Sequence, residues 1–254
     1  MRIVVIGGTG LIGRQVPAKL KALGHEALPA SPASGVNTLT GEGLSAVLSC
    51  AEVVIDVANS PSFEPSAVRT FFETAGRNLL AAEQTAGVRH HVALSVVGSD
   101  RPHAPPYLKA KLAQERLIEA AGLPFTIVRA TQFFEFMGGI ADEGTRDTVV
   151  RLSPAALQPI ASADVARAVA EAAIIEPING VLEIAGPERA PFAEFVGTWL
   201  GHRDDPRRIV VDPNAPYFGV PVDDTSLTPG PNARIMPTRF DTWLSASAGN
   251  GRAA

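Results

Sequence analysis

The hydrophobic pattern at the start of the chain changes from a solid run to a helical period within a dozen residues. Ile3 to Ile6 is a short β-branched block, as expected of a strand covered on both faces. Gly7-Gly8-Thr9-Gly10 follows. Ile12, Val16, Leu20 and Leu23 then share one face of a helix predicted over residues 11–23 and stopped by Gly24. Residues 25–29 read as a second strand, 36–39 as a weak third, and 43–49 as a short helix. The run EVVIDVA at 52–58 predicts a fourth strand, and 68–86 a long helix ended by Gly87. A fifth strand at 92–97, a helix at 107–121 ended by Gly122 and a sixth strand at 125–128 continue the rhythm. Strands and helices alternating in this way predict an α/β fold, a Rossmann-type doubly wound parallel sheet with right-handed crossovers.

Beyond Arg129 the alternation loosens. An Ala-rich helix is predicted over 164–175 with Ser162 as its cap, a strand over 181–184, and a helix over 191–200 opened by Pro191. Residues 201–237 are rich in Pro and Asp and predict irregular chain except around 209–211. The second half is too small and broken to stand alone. The expected organisation is a dinucleotide-binding core at 1–130, a small C-terminal substrate-side extension of the same domain at 131–244, and a disordered tail at 245–254.

Composition narrows the function classes. The chain has 254 residues, 46% hydrophobic and 19% charged, which suits one ordinary globular α/β domain. A net charge of −4, with no basic run longer than Arg207-Arg208, argues against a nucleic-acid surface. Cys50 stands alone and the five histidines lack ligand spacing, so neither a disulfide nor a metal site is expected. No secretory leader and no bilayer-length apolar stretch is visible, so a cytoplasmic protein without membrane contact is expected, as a monomer or homodimer.

Gly7, Gly10 and Gly13 form G-x-x-G-x-x-G between a strand and a helix. In that setting the glycines allow a tight turn, close approach of backbone to a pyrophosphate, and close helix–strand packing. The helix start offers free N–H groups to phosphate. The expected cofactor contacts are Gly7, Thr9, Gly10, Leu11, Ile12 and Gly13, with Asn59 near the adenine or ribose. NAD binding favours an acid at the end of the second strand, about 20 residues past the loop. This chain has Ala30-Ser31-Pro32-Ala33-Ser34 there. Arg14, Ser31 and Ser34 are therefore candidates for reading a 2′-phosphate, which points to NADP with NAD still open.

Tyr107 and Lys111 are four apart in a predicted helix and share a face. Ser95 lies in the preceding strand, whose C-terminal end borders the ligand crevice of a parallel sheet. Hydride transfer to a carbonyl leaves an alkoxide that needs a proton. A phenol, with a pKa of about 10, supplies it more readily when a nearby ammonium lowers that value. Ser95, Tyr107 and Lys111 are the expected catalytic set, with Ser99 a competitor for the serine role.

These blocks together resemble the atypical short-chain dehydrogenase/reductases of the NmrA-like, NAD(P)-binding group. The resemblance rests on the opening Ile6 to Gly13, on Ala86-Gly87-Val88 leading into Leu94 to Gly98, and on Tyr107 to Glu115. Gly122 to Arg129 and Ile184 to Glu188 extend it. It implies that Lys111 also holds the nicotinamide ribose. It further implies that the segment after the sixth strand walls the substrate pocket, placing Gln132, Phe133, Phe134 and Phe136 against a flat apolar small molecule. Tyr217 and Phe218 are candidates for a lid.

The leading reading is an NADP(H)-dependent oxidoreductase that reduces a small apolar carbonyl or quinone. A second, from another class, is a non-catalytic nucleotide-binding regulator. A nucleotide-sugar epimerase fits less well, because the C-terminal part is short and its pocket candidates are hydrophobic.

Overall fold

A computed structural model describes residues 1–250, with side chains through Ser247. The first half holds β1 (Arg2–Ile6), α1 (Val16–Ala22), β2 (Glu26–Ala30), α2 (Leu44–Leu48), β3 (Val53–Asp56), α3 (Pro65–Ala86), β4 (His90–Val96), α4 (Pro106–Ala120) and β5 (Phe125–Ala130). The second holds α5 (Met137–Glu143), β6 (Thr145–Arg146), β7 (Val149–Leu152), β8 (Ala156–Leu157), α6 (Ser162–Ala172) and β9 (Gly180–Ala185). It continues with β10 (Ala190–Pro191), α7 (Phe192–His202), β11 (Arg208–Val211), β12 (Arg234–Ile235) and α8 (Phe240–Asn250).

Seven of these strands pair in parallel in the order β12-β9-β5-β4-β3-β1-β2. The pleat sorts their side chains into two cores. Ile3, Val5, Ile55, Val92 and Val128 pack against α1 and α6. Their neighbours Val4, Ile6 and Val54 pack against α2 and α3, while Ala93 and Ile127 meet Leu80 of α3 and Ile118 of α4. Helices therefore cover both faces, as the alternation predicts. Each fully buried Val or Ile contributes about 1.5–3 kcal/mol by leaving water. A further cluster lies outside the sheet, where Phe134, Phe192, Phe195 and Phe240 join α5, α7 and α8.

Several expectations give way to local chemistry. The helix expected over 11–23 is regular only from Val16. Before it the chain turns through bonds such as Arg14 N to Gly10 O and Gln15 N to Ile12 O, and Pro17 brings no N–H to extend the ladder backwards. The weak strand at 36–39 is a loop. Asn37 N donates to Glu42 O, and Asn78 Nδ2 donates to the carbonyls of Thr38 and Leu39, so the backbone closes on itself and on α3. Left-handed Gly35, Gly41 and Gly43 make those turns, leaving β2 as the sheet edge.

Ser162 is inside α6, with Ala161 at the cap position, and the Ser162 hydroxyl donates to Glu135 at 2.5 Å. The short strand β12 has no signature in the sequence, because two paired residues carry no period of their own. The expected tail is also revised. Residues 245–250 continue α8, which Phe240 and Trp243 anchor against Phe134, with ring centroids 5.0 and 5.5 Å away. Residues 251–254 lie outside the described residues.

Candidate active site

A cavity of about 800 Å³ runs across the C-terminal ends of β2, β1, β3, β4 and β5, where a parallel sheet presents its crevice. Gly7, Thr9, Gly10, Leu11 and Ile12 form its floor near β1. The N–H groups of Gly7 and Gly8 both donate to Ala30 O at 3.0 Å, and Gly10 N–H donates to Gly7 O at 2.9 Å. Among the described residues, no backbone acceptor meets the N–H of Thr9, Leu11, Ile12 or Gly13. A turn that leaves successive amides free is a nest for an anion.

The glycine roles separate by space. A Cβ on Gly13 would sit 2.1 Å from Gly7 O, so Gly13 is required by packing inside the loop. A Cβ on Gly10 would meet only Gly7 O, at 3.3 Å, so Gly10 is open towards the cavity. Such a floor fits a pyrophosphate.

At the β2 end Ser31 lines the cavity, joined by Asn37 and Thr38 of the loop at 36–39. The glycines at 35, 41 and 43 were the available signal that this segment turns. Ser34 is not in the wall: Ser31 N donates to its hydroxyl at 2.9 Å, and that hydroxyl donates back to Ser31 O. Arg14 is exposed and outside the wall.

In the middle of the cavity Asn59, Ser95, Tyr107 and Lys111 come together. Their hydroxyls are already engaged. Ser95 Oγ, which is buried, donates to Glu115 Oε1, so it has no hydrogen left for a substrate oxygen. Ser99 is buried and donates to Val96 O at 2.6 Å. Tyr107 donates to Asn59 Oδ1 at 3.0 Å. Burial pushes the Tyr107 phenol up to about 12, the reverse of the expected lowering by Lys111.

The Lys111 ammonium is buried, donates to Gln114 Oε1 and lies 4.3 Å over the Phe72 ring. Burial lowers it to about 8, against the pull of Asp56 and Glu115. Gln114 in turn donates to Asp56 at 2.7 Å. Glu115 takes two bonds from Arg129, at 3.0 and 2.6 Å, and thereby ties α4 to β5 beneath the site. Burial works against the Arg129 charge, but Glu115 and Asp100 outweigh it and raise its pKa.

At the β5 end Gln132, Phe133 and Phe136 line the wall, and Tyr217 and Phe218 close it from the other side. Phe134 does not reach the cavity. It is fully buried, with its ring 5.0 Å from Phe240 and 5.5 Å from Trp243, because the turn after β5 sends alternate aromatics inward. The Gln132 amide is buried with neither polar atom bonded among the described residues, a costly state that a bound partner would relieve. Glu143 also lines this end, and no sequence pattern marked it.

Fold and floor together define a dinucleotide-binding α/β protein. Residues 7–174 match the NAD(P)H-binding family, and the chain belongs to that family. It is similar to the photosystem II assembly factor Ycf39 of Synechocystis sp., 25% identical over 153 residues, 55% of this chain and 47% of that protein. It is also similar to a (4-alkanoyl-5-oxo-2,5-dihydrofuran-3-yl)methyl phosphate reductase of Streptomyces griseus, 29% identical over 144 residues, 52% of this chain and 48% of that protein. The chain thus spans about half the length of these curated relatives. In fold it is similar to UDP-N-acetylglucosamine 4-epimerase from Bacillus cereus, with a TM-score of 0.71 and 17% identity, covering 100% of this chain and 97% of that one. No helix among the described residues is long and apolar enough to cross a membrane.

Proposed function

We propose that this chain is an NADP(H)-dependent oxidoreductase that reduces a small apolar carbonyl or quinone. In this reading residues 1–130 hold the cofactor and the extension at 131–244 supplies the substrate side. The observation that carries it is continuity: one cavity joins the free amides at the glycine loop, the Tyr107 and Lys111 pair, and an apolar wall at Phe133 and Phe136. That the Streptomyces griseus relative is named a reductase supports the same class.

The reduced nicotinamide, when bound, supplies a hydride. The chain's own residues bind and orient around it. Thr9, Leu11, Ile12 and Gly13 offer N–H groups to the pyrophosphate, and Lys111 holds the ribose. Ser31, Asn37 and Thr38 face the adenine ribose, where no acid repels a 2′-phosphate, and Arg14 approaches it from solvent. Tyr107, kept protonated by its high pKa, leaves Asn59 to donate its proton to the substrate oxygen. Ser95 acts as a positioning residue through Glu115. Phe133 and Phe136 exclude water, and Gln132 gives one polar contact.

A second reading has an observation of its own. The hydroxyls of Ser95 and Tyr107 are both bonded within the protein, which suits a regulator that binds the nucleotide without turnover. Purified protein is incubated with NADPH and a panel of quinones and aromatic aldehydes, following loss of NADPH absorbance. Substrate-dependent oxidation is the expected result. Tight NADPH binding with no oxidation across the panel selects the regulator.

A further inference from the structure

The substrate end of the cavity carries an acid that the fold does not use. Glu143 ends α5, and a carboxylate in the last turn of a helix meets the negative end of its dipole. Two guanidinium groups nearby pass it over. Arg146 donates to the backbone carbonyls of Glu143 and Thr145, at 3.1 and 2.7 Å. Arg207 binds Asp205 and the adjacent acid Asp142, at 2.8 and 2.6 Å. Among the described residues the Glu143 carboxylate has no ion-pair partner. It lines the cavity instead, as Tyr217 does, and its charge adds to burial in raising the Tyr217 phenol.

Aromatic rings line the same cavity. Phe218 packs edge-on to Tyr217 with centroids 4.8 Å apart, held by a tight turn in which Tyr217 N donates to Val220 O at 2.8 Å. Phe218 has a φ of 46°, a left-handed conformation that is unfavourable for a bulky residue, and it is 45% exposed at the cavity wall. Phe133 and Phe136 stand at the wall with centroids 6.0 Å apart. Among the described residues, Lys111 on α4 is the other charged one in the cavity wall. Ring faces beside an unpaired carboxylate attract cations and repel anions.

We infer that the substrate end selects flat apolar molecules bearing a cationic or hydrogen-bond-donating group, which Glu143 holds, and that it turns away anionic ones. This rests on the proposed reductase reading for the placement of substrate at this end. Three naphthalene probes of one size separate the chemistries: 2-naphthylmethylammonium, 2-naphthylmethanol and 2-naphthoate. Each is titrated calorimetrically into the NADPH-saturated protein and into Glu143→Gln, whose melting temperature is checked first. The ammonium is expected to bind at least ~10-fold tighter than the carboxylate, with the alcohol between them, and Glu143→Gln is expected to bring all three within about 3-fold. Equal or tighter binding of naphthoate, the same order in Glu143→Gln, or no binding of any probe overturns the inference. The readout needs no turnover. A protein that oxidises no NADPH yet shows this order loses the reductase reading alone, and an active reductase without it loses only the inference.

Discussion

Tyr107 and Asn59 are joined across the cavity, the phenol of α4 donating to the amide oxygen that follows β3 at 3.0 Å. Burial holds the proposed proton donor in its protonated form, and its hydrogen is engaged by Asn59. Tyr107→Phe keeps the ring and its edge contact with Phe72, so NADPH affinity should hardly change. Reduction of a responsive quinone or aldehyde should fall by ~10²-fold or more, the usual scale for losing a general acid. An active enzyme indifferent to the change would make solvent the proton source. Spectroscopic titration should leave the Tyr107 band unionised until about pH 12.

The glycine loop separates two kinds of damage. Gly10→Val points new bulk towards the cavity, so it should abolish binding of NADPH and NADH while the melting temperature stays close to wild type. Gly13→Ala puts a Cβ 2.1 Å from Gly7 O and should lower both binding and melting temperature. Arg14→Ala should weaken NADPH alone. Equal loss for both nucleotides would show that Arg14 does not read the 2′-phosphate.

Lys111 makes stability depend on pH with a definite sign. Burial lowers its pKa from 10.5 to about 8, so the unfolded chain binds more protons between those values. Stability therefore rises as pH climbs through that window, and the cost of the buried charge, roughly 3 kcal/mol at most, is full below it. Lys111→Met should melt higher than wild type at pH 7, lose the gain between pH 8 and 10, and bind NADPH more weakly. Identical melting profiles would show that the buried charge costs nothing.

Glu83 of α3 and His91 of β4 form a fully buried pair, with Nδ1 2.9 Å from both carboxylate oxygens. Burial pulls His91 down, but the charge and hydrogen bond of Glu83 carry its pKa above the usual value. Removing one partner leaves the other buried and unpaired. Glu83→Ala or His91→Ala should cost about 3–5 kcal/mol in denaturant unfolding, while the double change Glu83→Leu with His91→Phe should recover much of it. Equal losses in single and double variants would show that packing, not charge, sets the cost.

The first half of the fold was legible because local rules agreed there. The β-branched run at Val53, Val54 and Ile55 sits between turn residues, and Gly87 and Gly122 do stop their helices in the left-handed conformation. The glycine spacing likewise announced the floor of the cavity. The segment after β2 is a loop although Val36 and Leu39 have strand-like character, because the bonds from Asn78 that hold it come from 39 or more residues away. Phe133, Phe134 and Phe136 are indistinguishable as residue types. Their fates differ because Phe134 meets Phe240 and Trp243, which arrive from the far end of the chain.

The sequence by itself determined the periodic elements, the glycine floor and the shared helix face of Tyr107 and Lys111, since each depends on neighbours within a turn or a strand. Only the tertiary structure decided what the functional groups are bonded to. Ser95 is occupied by Glu115, and Tyr107 by Asn59, across 20 and 48 residues of chain. Glu143 is left at the cavity wall while Arg207, far along the chain, pairs with Asp142 instead. Hydrogen-bond and charge partners are chosen by proximity in space, and no local pattern encodes that choice.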